Sequence, residues 1–503
     1  MSNITHLIRN YSKVHDSLER VSGQTDREDR HMHHKSSFKS RVGRTAAMLS
    51  LTAAIALSAG VGLYPQATAT AAAMATTIAV DGNAVTWSVE PQMRKGTTFV
   101  PLRETAELLG AAVRWNTAER VTELKLHGDT ILHRPGTAEF LVNAYPVQAS
   151  LPSFQKDGTT MVPLRTLAEV LKADLSTISL SGHTAINLTL DAETVVSGET
   201  GQADQYLIDQ QYSGIALIAK DGQILLRKGY GYSDENRLVH AGQKSRIASL
   251  TKSFTAAAVM KLEEEDRLKL DDTLESYIPG FPSGDRITLH MLLSHTSGLS
   301  ANIPREPGMT LQQTIDAVKA KPLEFEPGTD FKYSNIGYVL LASIIEQASG
   351  MEYGAYLQQN FFQPLSMKET GEADLSTPVI KGYVRQDNGW TLAEDYISQS
   401  GTGSLYSTVD DLLKWDAALN TDEVLQTASL EKMFTPYSAK NYGYGWMIKQ
   451  QGDHTIVFHN GSGTGYATGL SREAGGGVTI ILLGNHAGID MLELMESLRG
   501  LVE

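Results

Sequence analysis

From about residue 205 onward, apolar and polar positions alternate in short runs near both ends and recur at helical spacing between them. GIALIAKDGQILLRKGYGYSD (Gly214–Asp234) reads as two apolar strands joined at Asp221-Gly222, a pair suited to a tight hairpin turn. YGWMIKQ, TIVFHNG, YATGLSRE and VTIILLGN predict further strands, and a terminal helix is expected from about Asp490. Between these lie helical patterns at Ile336–Ala348 and at Val409–Leu419, the latter capped by Ser407 and Thr408. RIASLTKSFTAAAVMKL (Arg246–Leu262) reads as one helix, with Leu250, Phe254, Ala257, Ala258 and Leu262 on a shared face. Strands at both ends with helices inserted predict an α+β arrangement, an antiparallel sheet that joins opposite ends of the segment.

The preceding region repeats itself. GTTFVPLRETAELLGAAV (Gly96–Val113) and GTTMVPLRTLAEVLKADL (Gly158–Leu175) are two copies of one text offset by 62 residues, which predicts two copies of a small unit packed together. Pro101 and Pro163 suit the first helical position, and Gly110 marks a stop. VTELKLHG and TAINLTL read as strands. This text resembles the copper amine oxidase N-terminal-like domain, a stalk-type module of secreted bacterial proteins, over residues 77–190. The resemblance implies a small duplicated α+β module serving as spacer or adhesion unit and no copper chemistry, since no histidine cluster accompanies it. Residues 191–204, DAETVVSGETGQAD, are polar and turn-rich and read as a linker to a second domain over 205–503.

Composition narrows the function classes. The 503-residue chain has no cysteine, which excludes disulfides, thiolate zinc sites and a cysteine nucleophile. A net charge of −14 disfavours nucleic acid as a partner. Residues 1–75 differ from the rest: Thr45–Tyr64 is uncharged, follows Lys35, Lys39, Arg41 and Arg44, and leads into ATATAAAMA, the order of a secretory signal with an unusually long charged region before it. Met32 is a candidate alternative start. An uncleaved membrane anchor is the competing reading, and contact with the membrane is expected only in that case.

The chemistry starts from Lys252. A cation in the first turn of an apolar helix opposes the helix dipole and is costly to bury, so something other than stability should account for it. Ser249 lies three residues earlier, on the same face, and an amine held in an apolar setting can take the hydroxyl's proton. S-x-x-K also starts at Ser36, Ser153 and Ser429, but only the Ser249 copy follows a strand pair and opens an apolar helix. Tyr333-Ser334-Asn335 is the chain's only Y-x-N and precedes a helix. A tyrosine beside an ammonium is favoured as phenolate and could share the proton transfer, while Asn335 offers an amide to substrate carbonyls. His459-Asn460-Gly461 ends an apolar run, where glycine would let a substrate approach the strand edge. LLSHTSGL (Leu292–Leu299) reads as a packed loop.

SLTK, YSN and HNG in this order, with LLSHTSGL, PGTDFKYSN, SLYSTVDDLLKW and YGYGW, resemble the serine β-lactamase and penicillin-binding-protein superfamily, near class C β-lactamases, D-alanyl-D-alanine carboxypeptidases, D-aminopeptidases and esterases. The resemblance implies the β-lactamase/transpeptidase-like fold with a helical subdomain. It makes Ser249 the acylated nucleophile, Lys252 its proton partner and Tyr333 a second acid/base, with Asn335, His459 and Gly461 binding substrate. The N–H groups of Ser249 and Ser462 would form the oxyanion hole, and no metal or other cofactor is implied. Dedicated β-lactamases usually carry lysine where His459 stands; histidine is only partly charged near neutral pH, which weakens the case for penicillin hydrolysis.

The resulting expectation is a secreted serine hydrolase acting on an amide or ester, such as a D-amino-acid peptide, through an acyl-enzyme. A β-lactamase and a non-catalytic cell-wall protein that recognises peptidoglycan are the alternatives. Residues 301–322 and 372–395 are expected to wall the pocket; substrate identity and oligomeric state leave no readable signal.

Overall fold

The computed structural model describes residues 76–503, apart from 181–182, 191–193, 235–236, 302–308 and 387–388. The candidate signal segment Thr45–Tyr64 lies outside the described residues, as does Met32. The chain divides into two compact units, Met1–Ala192 and Glu193–Glu503.

In the first unit the duplicated text becomes a paired structure. Thr97–Pro101 and Thr159–Pro163 lie side by side, antiparallel, with Val100 opposite Val162. Each strand runs directly into a short helix, Leu102–Leu108 or Leu164–Val170. Pro101 and Pro163 are the last strand residues and cap these helices; they are not their first helical residues, because an extended ψ of 118° or 122° turns the chain only after the ring. VTELKLHG supplies Val121–Leu126 of a five-stranded meander, and TAINLTL falls within the strand His183–Leu190.

The second unit is built on a seven-stranded antiparallel sheet. Its strands are β1 (Val195–Val196), β2 (Gly214–Lys220), β3 (Gln223–Tyr230), β4 (Met447–Gln451), β5 (His454–Gly463), β6 (Tyr466–Glu473) and β7 (Val478–Gly484). Their spatial order is β1-β3-β2-β7-β6-β5-β4, so the early hairpin and the late strands join through β2 and β7. The β2–β3 turn takes positive φ at Asp221 (50°) and Gly222 (77°), as that dipeptide allows. The helices α1 (Gly201–Asp209) and α5 (Met491–Val502) pack with the apolar side chains Leu226, Ile480 and Leu482. On the opposite face sit α2 (Thr251–Glu264), α3 (Asn335–Ser349) and α4 (Val409–Ala418).

Two expectations change here. Residues 191–204 are not simply a linker: Val195–Val196 pairs with β3, and Asp204 on α1 accepts hydrogen bonds from Lys228 Nζ (2.8 Å) and Tyr230 Oη (2.7 Å). The carboxylate that made the stretch look polar is the counter-ion of a buried lysine. Arg246–Leu262 is likewise not one helix. Ser245–Arg246 is a strand paired with Leu405–Ser407, Ala248–Leu250 is a 3₁₀ turn, and only from Thr251 is the chain α-helical. The helix itself is buried on almost every side, as an alanine-rich segment allows. Phe254 stacks on Trp415 of α4 at 4.5 Å and meets Phe362 edge-on at 5.5 Å.

The α4 helix is tied to the sheet by a buried charge. Arg472 on β6, 1% exposed, donates to Asp416 on α4 (2.6 Å), whose other oxygen accepts from Thr479 on β7 (2.8 Å). Removing one partner of such a pair strands the other charge, so Asp416→Ala should destabilise the unit by about 3–5 kcal/mol. Asp416→Asn, which keeps an acceptor, should cost less. Urea denaturation of the two variants against wild type checks this, and equal stability of all three would contradict it.

Candidate active site

The chain reaches Ser249 through a strained corner. Ala248 sits in the left-handed region at φ 47°, an unfavourable conformation for a residue with a Cβ. It turns the chain from the strand at Ser245–Arg246 into the 3₁₀ turn, leaving Ser249 part-exposed while Leu250, Thr251 and Lys252 are buried. Thr468 on β6 donates to Ile247 O at 2.9 Å, fixing the corner against the sheet.

Lys252 is wholly buried on the second residue of α2. Its Nζ lies 3.2 Å from Ser249 Oγ and donates to Thr402 O at 3.0 Å. The ring centroids of Tyr333 and Tyr338 are 5.0 and 5.5 Å away. Among the described residues no carboxylate pairs with it, and burial lowers its pKa from 10.5 to about 7. At pH 7.5 most of such an amine is neutral, whereas at the ordinary value only about one molecule in a thousand would be. A neutral Nζ keeps a hydrogen on Thr402 O and turns a lone pair to the Ser249 hydroxyl.

The Tyr333 phenol lies beside the Ser249 side chain, whose polar interaction with it favours the ionised form. Burial pushes its phenol above the ordinary range, more than the interaction with Ser249 lowers it. The expected phenolate is therefore corrected to a neutral phenol in the resting site: the amine beside it is largely uncharged near neutral pH and burial dominates. Ser334, the next residue, caps α3 by accepting from Gly337 N (3.3 Å) and donates to Ser300 O (2.8 Å). Asn335 opens α3, part-exposed, with no side-chain partner among the described residues.

The third stretch lies on β5 beyond the end of β4, which pairs only as far as Phe458. His459 is 1% exposed. Its Nδ1 is 2.6 Å from Asn460 O and its Nε2 is 3.1 Å from Tyr442 Oη, so the tautomer that satisfies both carries its proton on Nδ1 and accepts from the tyrosine. Burial, together with the Lys252 charge, lowers its pKa to about 3. Partial protonation near neutral pH is thus replaced by a neutral ring. Gly461 has a different purpose from the expected substrate approach: a Cβ there would stand 2.3 Å from Thr468 Oγ1 and 2.9 Å from both Ala248 Cβ and Ile247 O. The absent side chain lets β5 touch the nucleophile corner. Ser462 follows, exposed, opposite Ala467.

The structure brings Ser249, Lys252 and Tyr333 together, with His459 6.1 Å from Tyr333 between ring centroids. Sequence reasoning did not identify Thr402 or Tyr442 as parts of the site. Thr402 acts through its backbone carbonyl, which has no residue signature; the only hint is Gly401, at φ 82° with a Cβ position 2.3 Å from Tyr338 O. Tyr442 opens the YGYGW text, where its aromatic character alone gave no role. Of the expected walls, 302–308 lie outside the described residues. Residues 372–395 include a hairpin, Tyr383–Gln386 with Gly389–Leu392, and exposed Leu375, Trp390 and Leu392.

Residues 200–496 match the Beta-lactamase family, and residues 79–184 match the Copper amine oxidase N-terminal domain. Penicillin-binding protein 4* of Bacillus subtilis is 34% identical over 309 residues, covering 55% of this chain and 68% of the relative. The octameric penicillin-binding protein homologue from Pyrococcus abyssi superposes with a TM-score of 0.54 at 28% identity, covering 60% of this chain and 76% of the other. The D-amino acid amidase from Ochrobactrum anthropi, in its complex with L-phenylalanine, has a TM-score of 0.51 at 25% identity, covering 59% and 92%. With its fold, its serine beside a buried lysine and these matches together, the chain belongs to the beta-lactamase family and is a serine hydrolase of that family.

Proposed function

We propose that the enzyme hydrolyses an amide or ester, such as a D-amino-acid peptide or a small ester, through an acyl-enzyme on Ser249. The observation that carries this is the buried Lys252 amine, 3.2 Å from the Ser249 hydroxyl and without a carboxylate partner among the described residues. The Ser249 proton passes to Nζ as Oγ bonds the substrate carbonyl carbon, and the carbonyl oxygen takes the negative charge facing the N–H groups of Ser249 and Ser462. Tyr333 gives its proton to the departing nitrogen or oxygen, leaving a phenolate beside the Lys252 ammonium, a state in which the two charges offset each other. Water then attacks the acyl group along the reverse path, and Ser249 is released with the free acid.

His459 bears on substrate class. With both ring nitrogens engaged and the ring neutral, it offers no cation to a substrate carboxylate. That supports amides and esters over penicillins, and the similarity to a D-amino acid amidase points the same way. The proposal places the enzyme outside the cytoplasm, on the pattern of Thr45–Tyr64 and the charges before it.

A fluorophosphonate probe should label the wild-type protein and fail on Ser249→Ala; equal labelling of both would remove the assignment. Lys252→Met should slow acylation by about 10²–10⁴-fold, the range of a general base, without loss of thermal stability. The acylation rate should climb about tenfold per pH unit below pH 7 and level off above it, because Lys252 acts only once its proton, held with a pKa of about 7, has left. A rate that falls as pH rises through this window would give the lysine the opposite role. D-phenylalanine amide should be turned over faster than nitrocefin under matched conditions, and the reverse order would favour a β-lactamase.

A further inference from the structure

The loop LLSHTSGL, expected only to pack, carries a histidine with an unusual set of contacts. His295 is 1% exposed and adopts φ 60°, the left-handed region that is uncommon for residues with a Cβ and that His, Asn and Asp tolerate best. This geometry aims two acceptors of the one residue at the segment bearing Tyr333. Lys332 N–H donates to His295 O at 3.0 Å, and Ser334 N–H donates to His295 Nδ1 at 3.1 Å. In extended backbone the N–H groups of residues i and i+2 share one edge, so one histidine serves as the pairing partner that a strand would otherwise supply. The residue between the two donors is Tyr333, and its ring lies 4.3 Å from the imidazole, tilted by 42°. The imidazole also lies 4.6 Å from the ring of Tyr442, which holds His459.

Since Nδ1 accepts, the ring proton sits on Nε2, which is buried with no hydrogen-bond partner among the described residues. Leaving that group unsatisfied costs stability that a hydrophobic residue of similar size would not forfeit. Burial and the nearby Lys252 and His459 keep the ring neutral, so it competes with Lys252 neither as a cation nor as a base. We infer that His295 is the positioning residue for Tyr333: its carbonyl and Nδ1 set the Lys332–Ser334 backbone and its ring sets the phenol, so that the hydroxyl reaches the leaving group of the acyl transfer. The inference rests on the acyl-enzyme reading proposed above. A displacement of a catalytic group by about 1 Å can cost on the order of 10²-fold in rate, which is enough for a residue that touches no substrate to control the reaction.

In the acylation step, which kcat/KM reads, Tyr333 matters only when the departing group needs a proton, and the test uses that dependence. Ethyl butyrate and p-nitrophenyl butyrate share one acyl group, but ethoxide is a far more basic leaving group than nitrophenolate. His295→Asn retains a short side-chain acceptor and suits positive φ; His295→Phe retains a flat ring and the backbone carbonyl but has no side-chain acceptor. The expected result is that His295→Phe lowers kcat/KM for ethyl butyrate about tenfold or more beyond any loss on p-nitrophenyl butyrate, while His295→Asn holds the ratio of the two rates within about threefold of wild type. Equal losses on both esters in His295→Phe, from misfolding or otherwise, would make His295 a structural residue only and overturn the inference. So would a ratio in His295→Asn as disturbed as that in His295→Phe. Failure of the acyl-enzyme reading appears separately, as a wild-type protein that neither takes the fluorophosphonate nor cleaves either ester.

Discussion

The site depends on a primary amine sealed inside the protein, with no counter-ion among the described residues. Holding Lys252 at a pKa of about 7 in place of 10.5 corresponds to about 5 kcal/mol disfavouring its charged form. Its place one residue into α2 adds to that penalty, because the helix N-terminus is itself positive. A carboxylate placed beside it would recover much of this energy and would also keep the proton on the amine. The carbonyl of Thr402 is the compromise: it satisfies one N–H at 3.0 Å without restoring a full charge. Basicity at Ser249 is thus obtained from burial, and the surrounding architecture is what maintains the burial.

The same desolvation governs the neighbours. Tyr333, Tyr338 and Tyr442 are driven toward the neutral phenol, and His295 and His459 toward the neutral imidazole. The resting site is therefore polar, with Lys252 the one of these groups that titrates near neutral pH. The geometry that seals it depends on close approaches of backbone, with Gly461 against Ala248 and Gly445 within 2.6 Å, at its would-be Cβ, of Lys252 O. Arg472 and Asp416 hold the helical side onto the sheet that carries His459.

Much of this was legible before any coordinates. The Asp221-Gly222 hairpin, the four late strands and the terminal helix follow from local periodicity and turn chemistry, and the structure places each within a few residues. Ser249 and Lys252 stood out because a lysine is out of place in an apolar first turn. What stayed hidden depends on contacts distant in sequence. The stretch 191–204 reads as a linker because its partner, Lys228, is buried by strands that periodicity cannot pair with it. The charge states of Tyr333 and His459 depend on how completely the fold excludes water, which no spacing expresses. Gly461 looked like room for a substrate, yet it is room for the nucleophile corner, and Thr402 contributes an oxygen that every residue type possesses.

The central claim is that Lys252 is a neutral amine at physiological pH before any substrate arrives. It is tested most directly by titrating that side chain, with lysines labelled with ¹³C at Cε and the Lys252 resonance assigned by its loss in a Lys252→Met variant. The account predicts one lysine titrating near pH 7, well below the ordinary value of 10.5, and retaining that midpoint in Ser249→Ala. A Lys252 resonance that titrates with the surface lysines near their ordinary value would contradict it.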